Sequence, residues 1–345
     1  LRGPGILEVP VSLGAFSVTT PTPVTLLGTD FGYFGGGTAN PGIRTTVDRI
    51  DYSNDTATAS PKGPLSAARY GIAATGNTSF GYFGGGYPGT STIVDRVDYS
   101  NDTATAAPKG PLSAGRAYFG ATGNSDFGYF GGGLPGGLSS VDRIDYSNDT
   151  ATALATGPLS AARYGSGATG TTNFGYFGGG EPGPKSTVDR IDYSNDTATA
   201  SPKGPLSTAK YALAATGNAD FGYFGAGRTP SVVSTVDRID YSSDTGTAPS
   251  KGPLSSTKHV LSATGNSSFG YFAGGSPGPY STVDRIDYSS DTGTAPSKGP
   301  LTANRQAMGA SSSRANALPT STGGPSTVNY AAGTYGTPNT GYFGG

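Results

Sequence analysis

The stretch Phe31-Gly32-Tyr33-Phe34-Gly35-Gly36-Gly37 decides the fold by coming back. FGYFGGG or a close variant begins again at Phe80, Phe127, Phe174, Phe221 and Phe269, at spacings of 49, 47, 47, 47 and 48 residues. A shortened copy, GYFGG, occupies Gly341 to Gly345. Fixed periods of roughly 40 to 50 residues, each holding several short strand signals, belong to β-propellers, in which one repeat makes one blade. Within the block, Tyr33 and Phe34 point to opposite faces of a strand. Such a strand needs cover on both sides, as when twisted sheets stack face to face. Gly35 to Gly37 then permit positive φ and close backbone approach at its end.

Working outward, a Pro-Gly loop leads to VDRIDY at Val47 to Tyr52, which reads as a further strand. Ser53-Asn54-Asp55 is a turn in which Asn and Asp bond their own backbone. TATAS at Thr56 to Ser60 reads as a β-branched strand stopped by Pro61 and Pro64. RYGIAATG at Arg69 to Gly76 alternates small and apolar residues before a Gly-Asn turn, the pattern of a short strand. Four strands and four turns fill one period.

The order of aromatic strand, double glycine, loop, VDRIDY, turn, fourth strand, Pro-Leu and Arg resembles the kelch repeat over about residues 30 to 305. The tryptophan usual on that family's fourth strand is Thr or Ala here, and the chain has no Trp. The resemblance implies that RYGIAAT lines a central channel, that FGYFGGG and VDRIDY are the middle strands, and that TATAS is the outer one. The expected fold is therefore all-β, a propeller of four-stranded antiparallel blades spanning 1–345 as one domain. Its repeats lie near 31–79, 80–126, 127–173, 174–220, 221–268 and 269–310. Asn329 to Gly345 aligns without gaps on Arg69 to Gly85, and Pro10-Val11-Ser12 matches Pro64-Leu65-Ser66. A closing blade assembled from 311–345 plus 1–12 would then complete a seven-bladed ring and remove the sheet edges. A six-bladed ring with an appended C-terminal arm is the alternative.

Glycine at 58 and proline at 26 resemble low complexity, but 21 Tyr and 15 Phe recur at fixed repeat positions, which points to a packed core. The net charge of −1, with basic residues spread along the repeats, gives no footprint for nucleic acid or an anionic membrane. No window approaches a transmembrane span, and no signal peptide pattern opens the chain. Without Cys, disulfides and thiolate metal sites are excluded. His259 is the only histidine, and Glu8 and Glu181 are the only glutamates, so His-based triads, metal centres and glycosidase carboxylate pairs lack material. SSDTGTA resembles the sialidase Asp-box, but Ala248 stands where its threonine belongs. No catalytic residue, metal or cofactor is expected.

Two sets of residues remain as binding candidates. In VDRID, Arg49 and Asp51 share one face and Asp48 and Tyr52 the other, a sixfold feature suited to an ion-pair ladder between blades. A basic residue also precedes each inner strand: Arg69, Arg116, Arg163, Lys210, Lys258 and Arg305. These could ring one mouth of the channel and bind an anionic sugar or carboxylate, or bond the carbonyls of the blade-to-blade crossovers. The loops after the glycines differ from repeat to repeat and carry Arg44, Tyr87, Glu181, Lys185, Arg228 and Tyr280. Varied tips on a constant scaffold are how loop-bearing folds present a recognition surface.

The phrases DYSNDTATAS and GPLSAARYG resemble kelch-like repeat proteins of marine bacteriophage virions, tail or fibre components. That resemblance implies a non-enzymatic virion structural or host-attachment protein, located in a virion or outside the cell. Its expected partners are other virion proteins or a host surface glycan, and self-association into a homo-oligomer is compatible with it. An extracellular sialidase-like hydrolase and a kelch-type protein-interaction adaptor are the alternatives.

Overall fold

FGYFG, with Ala273 as the last residue in the sixth copy, forms the second strand of every blade, and its burial shows why the block is repeated so faithfully. In the computed structural model, which describes residues 30–312 except Asn40 and Pro279, Tyr33 and Phe34 are both 0% exposed. They point opposite ways. Tyr33 packs with Phe83, Val97 and Tyr99 of the following repeat, whereas Phe34 packs with Tyr271 and Val283 of the preceding one around the ring. Each such side chain removed from water contributes about 1.5–3 kcal/mol.

Six four-stranded antiparallel sheets result. In the second blade the order from the axis outward is Ala73–Gly76, Phe80–Gly84, Val94–Asp98 and Ala107–Pro108. The inner strands of successive blades touch one another in a closed circle. The first blade takes its inner strand from the far end of the described chain, where Gly309–Ser311 pairs with Phe31–Gly35, setting Tyr33 opposite Ser311. Six blades, not seven, therefore make the ring. Arg305 to Ser312 is the sixth inner-strand phrase, and it fills the one place left open beside the first FGYFG. Residue 311 thus belongs to the first blade rather than to a seventh. The other segments assigned to a closing blade, 1–12 and 313–345, lie outside the described residues.

The outer strand sits four residues later than β-propensity suggests. Thr56 and Ala57 turn the chain, Thr58 and Ala59 are irregular, and Ser60–Lys62 forms the strand, with Pro61 opposite Asp48. An outermost strand has one edge free, so a proline without an N–H is tolerated there. Gly63 follows because the next blade comes too close for a side chain. A Cβ there would lie 1.8 Å from the Ala104 carbonyl, and the Gly63 N–H bonds to the Asp102 carbonyl at 2.8 Å.

Polar groups stitch neighbouring blades along the same interfaces. Asp102, in the Ser-Asn-Asp turn of the second blade, accepts the Tyr33 hydroxyl at 3.0 Å and an Arg49 N–H at 2.7 Å. Lys62 stands 3.3 Å from its other oxygen. Equivalent clamps centre on Asp149, Asp196, Asp244, Asp291 and Asp55. Arg49 also lies over Phe31 at 4.0 Å, and Tyr33 stacks on Tyr99 with centroids 4.8 Å apart. The expected interblade ion pairs are present, but the partner of Arg49 is the turn aspartate of the next blade rather than Asp51. Asp51 instead accepts the Ser53 N–H and hydroxyl and caps the short turn.

Candidate functional site

The inner strands surround a cavity of about 110 Å³ lined by Gly, Ala and Ser together with Ile72, Tyr118, Phe119, Leu213, Val260, Leu261 and Met308. No acidic or basic side chain lines it among the described residues. Its mouth is set by six residues at one repeat position: Gly71, Tyr118, Gly165, Ala212, Val260 and Ala307. All six have positive φ, from 52° to 66°. The N–H of each donates to the carbonyl of its counterpart in the preceding blade at 2.6–2.9 Å, and Gly71 donates to Ala307, so the six amides form a closed ring. The left-handed conformation is ordinary for Gly and costly for Val260 or Tyr118. This ring escaped the sequence reading because the position holds Gly, Tyr, Ala or Val.

The six cations before the inner strands are inside the fold. Arg69, Arg116, Arg163, Lys210, Lys258 and Arg305 are at most 2% exposed and pair with Asp95, Asp142, Asp189, Asp237, Asp284 and Asp48 at 2.6–3.2 Å. Arg163 also donates to the carbonyls of Phe177, Gly179 and Thr187. Its aspartate accepts the N–H and hydroxyl of Ser160. Each cation thereby ties a crossover to the blade it enters. Burial pushes the Arg69, Arg116, Arg163, Lys210 and Arg305 pKa values down, and the partner carboxylate opposes that.

Those tips stand on backbone pairs repeated from blade to blade. The first loop residue bridges the residue after the buried cation: Tyr87 with Tyr70, Leu134 with Ala117, Glu181 with Tyr164, Arg228 with Tyr211, Ser276 with His259 and Thr38 with Gln306. The last loop residue bridges the crossover into the next blade, as Lys185 does with Lys210 and Tyr280 with Arg305. Arg44 takes the same place, its carbonyl accepting the Arg69 N–H at 3.3 Å. Fixed main chain thus carries a different side chain at each station. The partners Tyr70, Tyr164, Tyr211, His259 and Gln306 were missed, although their variation directly after a constant cation is visible in the sequence.

The chemistry around this rim is uneven. Tyr70, Tyr87 and Tyr118 cluster with centroids 5.6–6.2 Å apart, and burial raises the Tyr118 pKa to about 12. In the next sector, Glu181 accepts the Tyr164 hydroxyl, which raises the tyrosine's pKa. Burial lowers the His259 pKa, and nearby Arg228 adds to the effect. Of the predicted tip residues, Arg228 is exposed and Arg44, Tyr87, Glu181, Lys185 and Tyr280 are half-buried. Tyr87 joins the aromatic sector, Glu181, Lys185 and Arg228 share the charged one, and Arg44 and Tyr280 stand in other loops. Among the described residues no cluster of His, Cys, Asp and Glu could hold a metal ion. The chain matches no protein-family model and no curated sequence.

Proposed function

We propose that this chain is a kelch-type propeller serving as a non-enzymatic virion structural or host-attachment protein, with recognition on the loop face around the channel. The carrying observation is the set of rim pairs, in which one backbone geometry presents Tyr–Tyr, Leu–Ala, Glu–Tyr, Arg–Tyr, Ser–His and Thr–Gln in turn. A scaffold whose interior repeats so closely gains nothing in packing from such variety at its rim, whereas a binding surface gains specificity. The channel is compatible with the same reading, since among the described residues its lining has no carboxylate, histidine, lysine or arginine, and Tyr118 at the mouth is its one phenol. The ligand classes in view are a host surface glycan and another virion protein.

Exchanging the tip Glu181 to Lys185 for the tip Leu134 to Ser139 tests this. The expected result is altered adsorption to host cells with an unchanged melting temperature. Unchanged adsorption, together with loss on altering the turns at Asn101 or Asn148 on the opposite face, would refute it.

A further inference from the structure

Resting on the loop-face reading above, we infer that the sector formed by Lys185, Tyr211 and Arg228 binds an anionic saccharide, one bearing carboxylate or sulfate groups. Among the described residues, every Lys and Arg forms an ion pair except Arg44, Lys185 and Arg228. All three stand in post-glycine loops on one face. Among the described residues, a fold that neutralises its cations so consistently leaves unbalanced positive charge on one face only. Glu181 is the one acidic residue in these loops, and it takes the Tyr164 hydroxyl rather than Lys185.

Two of the free cations are neighbours. Lys185 bridges Lys210, and the next residue, Tyr211, bridges Arg228, so the crossover strand runs between them. Cross-strand Cα separations of about 5 Å on each side put the two cations roughly 10 Å apart at the backbone. Arg228 shares the strand side of Tyr211 and Lys185 that of Lys210, so the two charges flank the crossover and can hold separate anionic groups of one saccharide chain, with Arg supplying a two-pronged grip and Lys a point charge. Arg44 belongs to the first blade, across the ring from the fourth and fifth blades that carry this pair. An acidic peptide would need an apolar pocket to anchor its other side chains. The exposed large aliphatics among the described residues are Ile93 and Leu154, in the second and third blades. Tyrosine rings with cations and hydroxyls suit a hydroxylated, charged sugar better.

The test measures binding of the full chain to four probes: alginate oligosaccharides carrying carboxylates, κ-carrageenan oligosaccharides carrying sulfates, neutral dextran oligosaccharides, and a poly-glutamate peptide. Binding to one or both anionic sugars is expected, and whichever of the two binds identifies the anion. Lys185→Ala and Arg228→Ala should each weaken it about tenfold, as loss of a charge-assisted hydrogen bond implies. Arg44→Ala should leave it unchanged. Arg228 is exposed and Lys185 and Arg44 are half-buried without ion pairs, and an unchanged melting temperature verifies the fold. An equal loss in Arg44→Ala would show diffuse attraction and overturn the site. Tighter binding to poly-glutamate, binding to dextran alone, or binding to no probe would overturn the ligand class. The loop-exchange adsorption experiment stands apart from these outcomes and judges the loop-face reading by itself.

Discussion

Replacing Arg143 by Ala removes a cation from the one interblade clamp that lacks a lysine. In the other five clamps a lysine stands 3.2–3.5 Å from the aspartate, but the third blade has Thr156 at that station and Asp196 has only Tyr129 and Arg143. Breaking a fully buried pair costs about 3–5 kcal/mol. Arg143 is 25% exposed and Asp196 9%, so water returns part of that, and about 2–3 kcal/mol remains. The contact of the guanidinium with the Phe127 ring, 4.6 Å away, adds about 0.5 kcal/mol. In Arg96→Ala, Lys109 still holds Asp149, so the loss should be nearer about 1–1.5 kcal/mol. Arg96 loses the same kind of ring contact, with Phe80 at 4.1 Å, so that contribution cancels, and with a urea dependence near 3 kcal/mol per molar the two midpoints should differ by about 0.2–0.7 M. Thr156→Lys should restore most of the Arg143→Ala deficit by installing the missing cation opposite Val141. Equal midpoints for the two alanine variants, or no recovery with Thr156→Lys, would refute the account of the clamp.

Arg163→Lys should change stability by under about 1 kcal/mol, because Lys210 and Lys258 occupy the same buried station. Asp189→Ala, which strands the Arg163 charge, should cost about 3–5 kcal/mol or prevent folding, read from soluble yield and urea midpoint. Val260→Gly should raise stability by roughly 1 kcal/mol by relieving a β-branched residue at φ 54°; a lower urea midpoint would show that the side chain outweighs the strain. Stability should fall on acidification in two stages. His259 is held below its ordinary 6.5 by burial, so the unfolded chain takes its proton more readily and stability declines as pH drops through and below that value. The second stage comes from carboxylates. Burial opposes ionisation of Asp149, but Tyr82, Lys109 and Arg96 outweigh it and hold its pKa below 3.8, as the Ser147 hydroxyl does for Asp145. Their contribution is present above the ordinary carboxylate range and is lost as pH falls through it and below. Denaturation midpoints at pH 7, 5.5 and 3.5 check both stages, and His259→Gln should remove the first.

Much of this architecture is written in short-range pattern. Adjacent aromatics in FGYFG demanded cover on both faces, and Tyr33 and Phe34 have it. The blade number was miscounted because phrases near both ends were added to six full repeats, whereas a ring is complete once inner and second strands are equal in number. Six basic inner-strand phrases and six FGYF blocks before residue 312 already balance. The outer strand was displaced because Thr-Ala-Thr-Ala has β-propensity, while placement depends on Asp55 reaching back to Tyr271 and Arg285 of the sixth blade. Such a constraint spans the ring closure and leaves no local trace. For the same reason, the sequence pointed to interblade pairing of Arg49 without naming its partner, which lies 53 residues on.

The candidate site was half legible, and the missing half is electrostatic. A basic residue in a sequence looks equally available whether it ends beside Asp189 at 0% exposure or on an open loop. Twelve cations look alike as repeated features, those before the inner strands and those in VDRID, and the ring geometry consumes all of them in ion pairs. What survives is the non-repeating charge, and it survives on the face where the main chain is most regular. Pinned backbone and unpaired side chain together favour a ligand, since the binding groups are held in place before the ligand arrives and less freedom is lost on contact. Opening the hydrogen-bonded ring at residue 260 with Val260→Pro, which has no N–H and cannot take positive φ, would loosen that arrangement. Affinity at Lys185 and Arg228 should therefore weaken even though neither side chain has been touched.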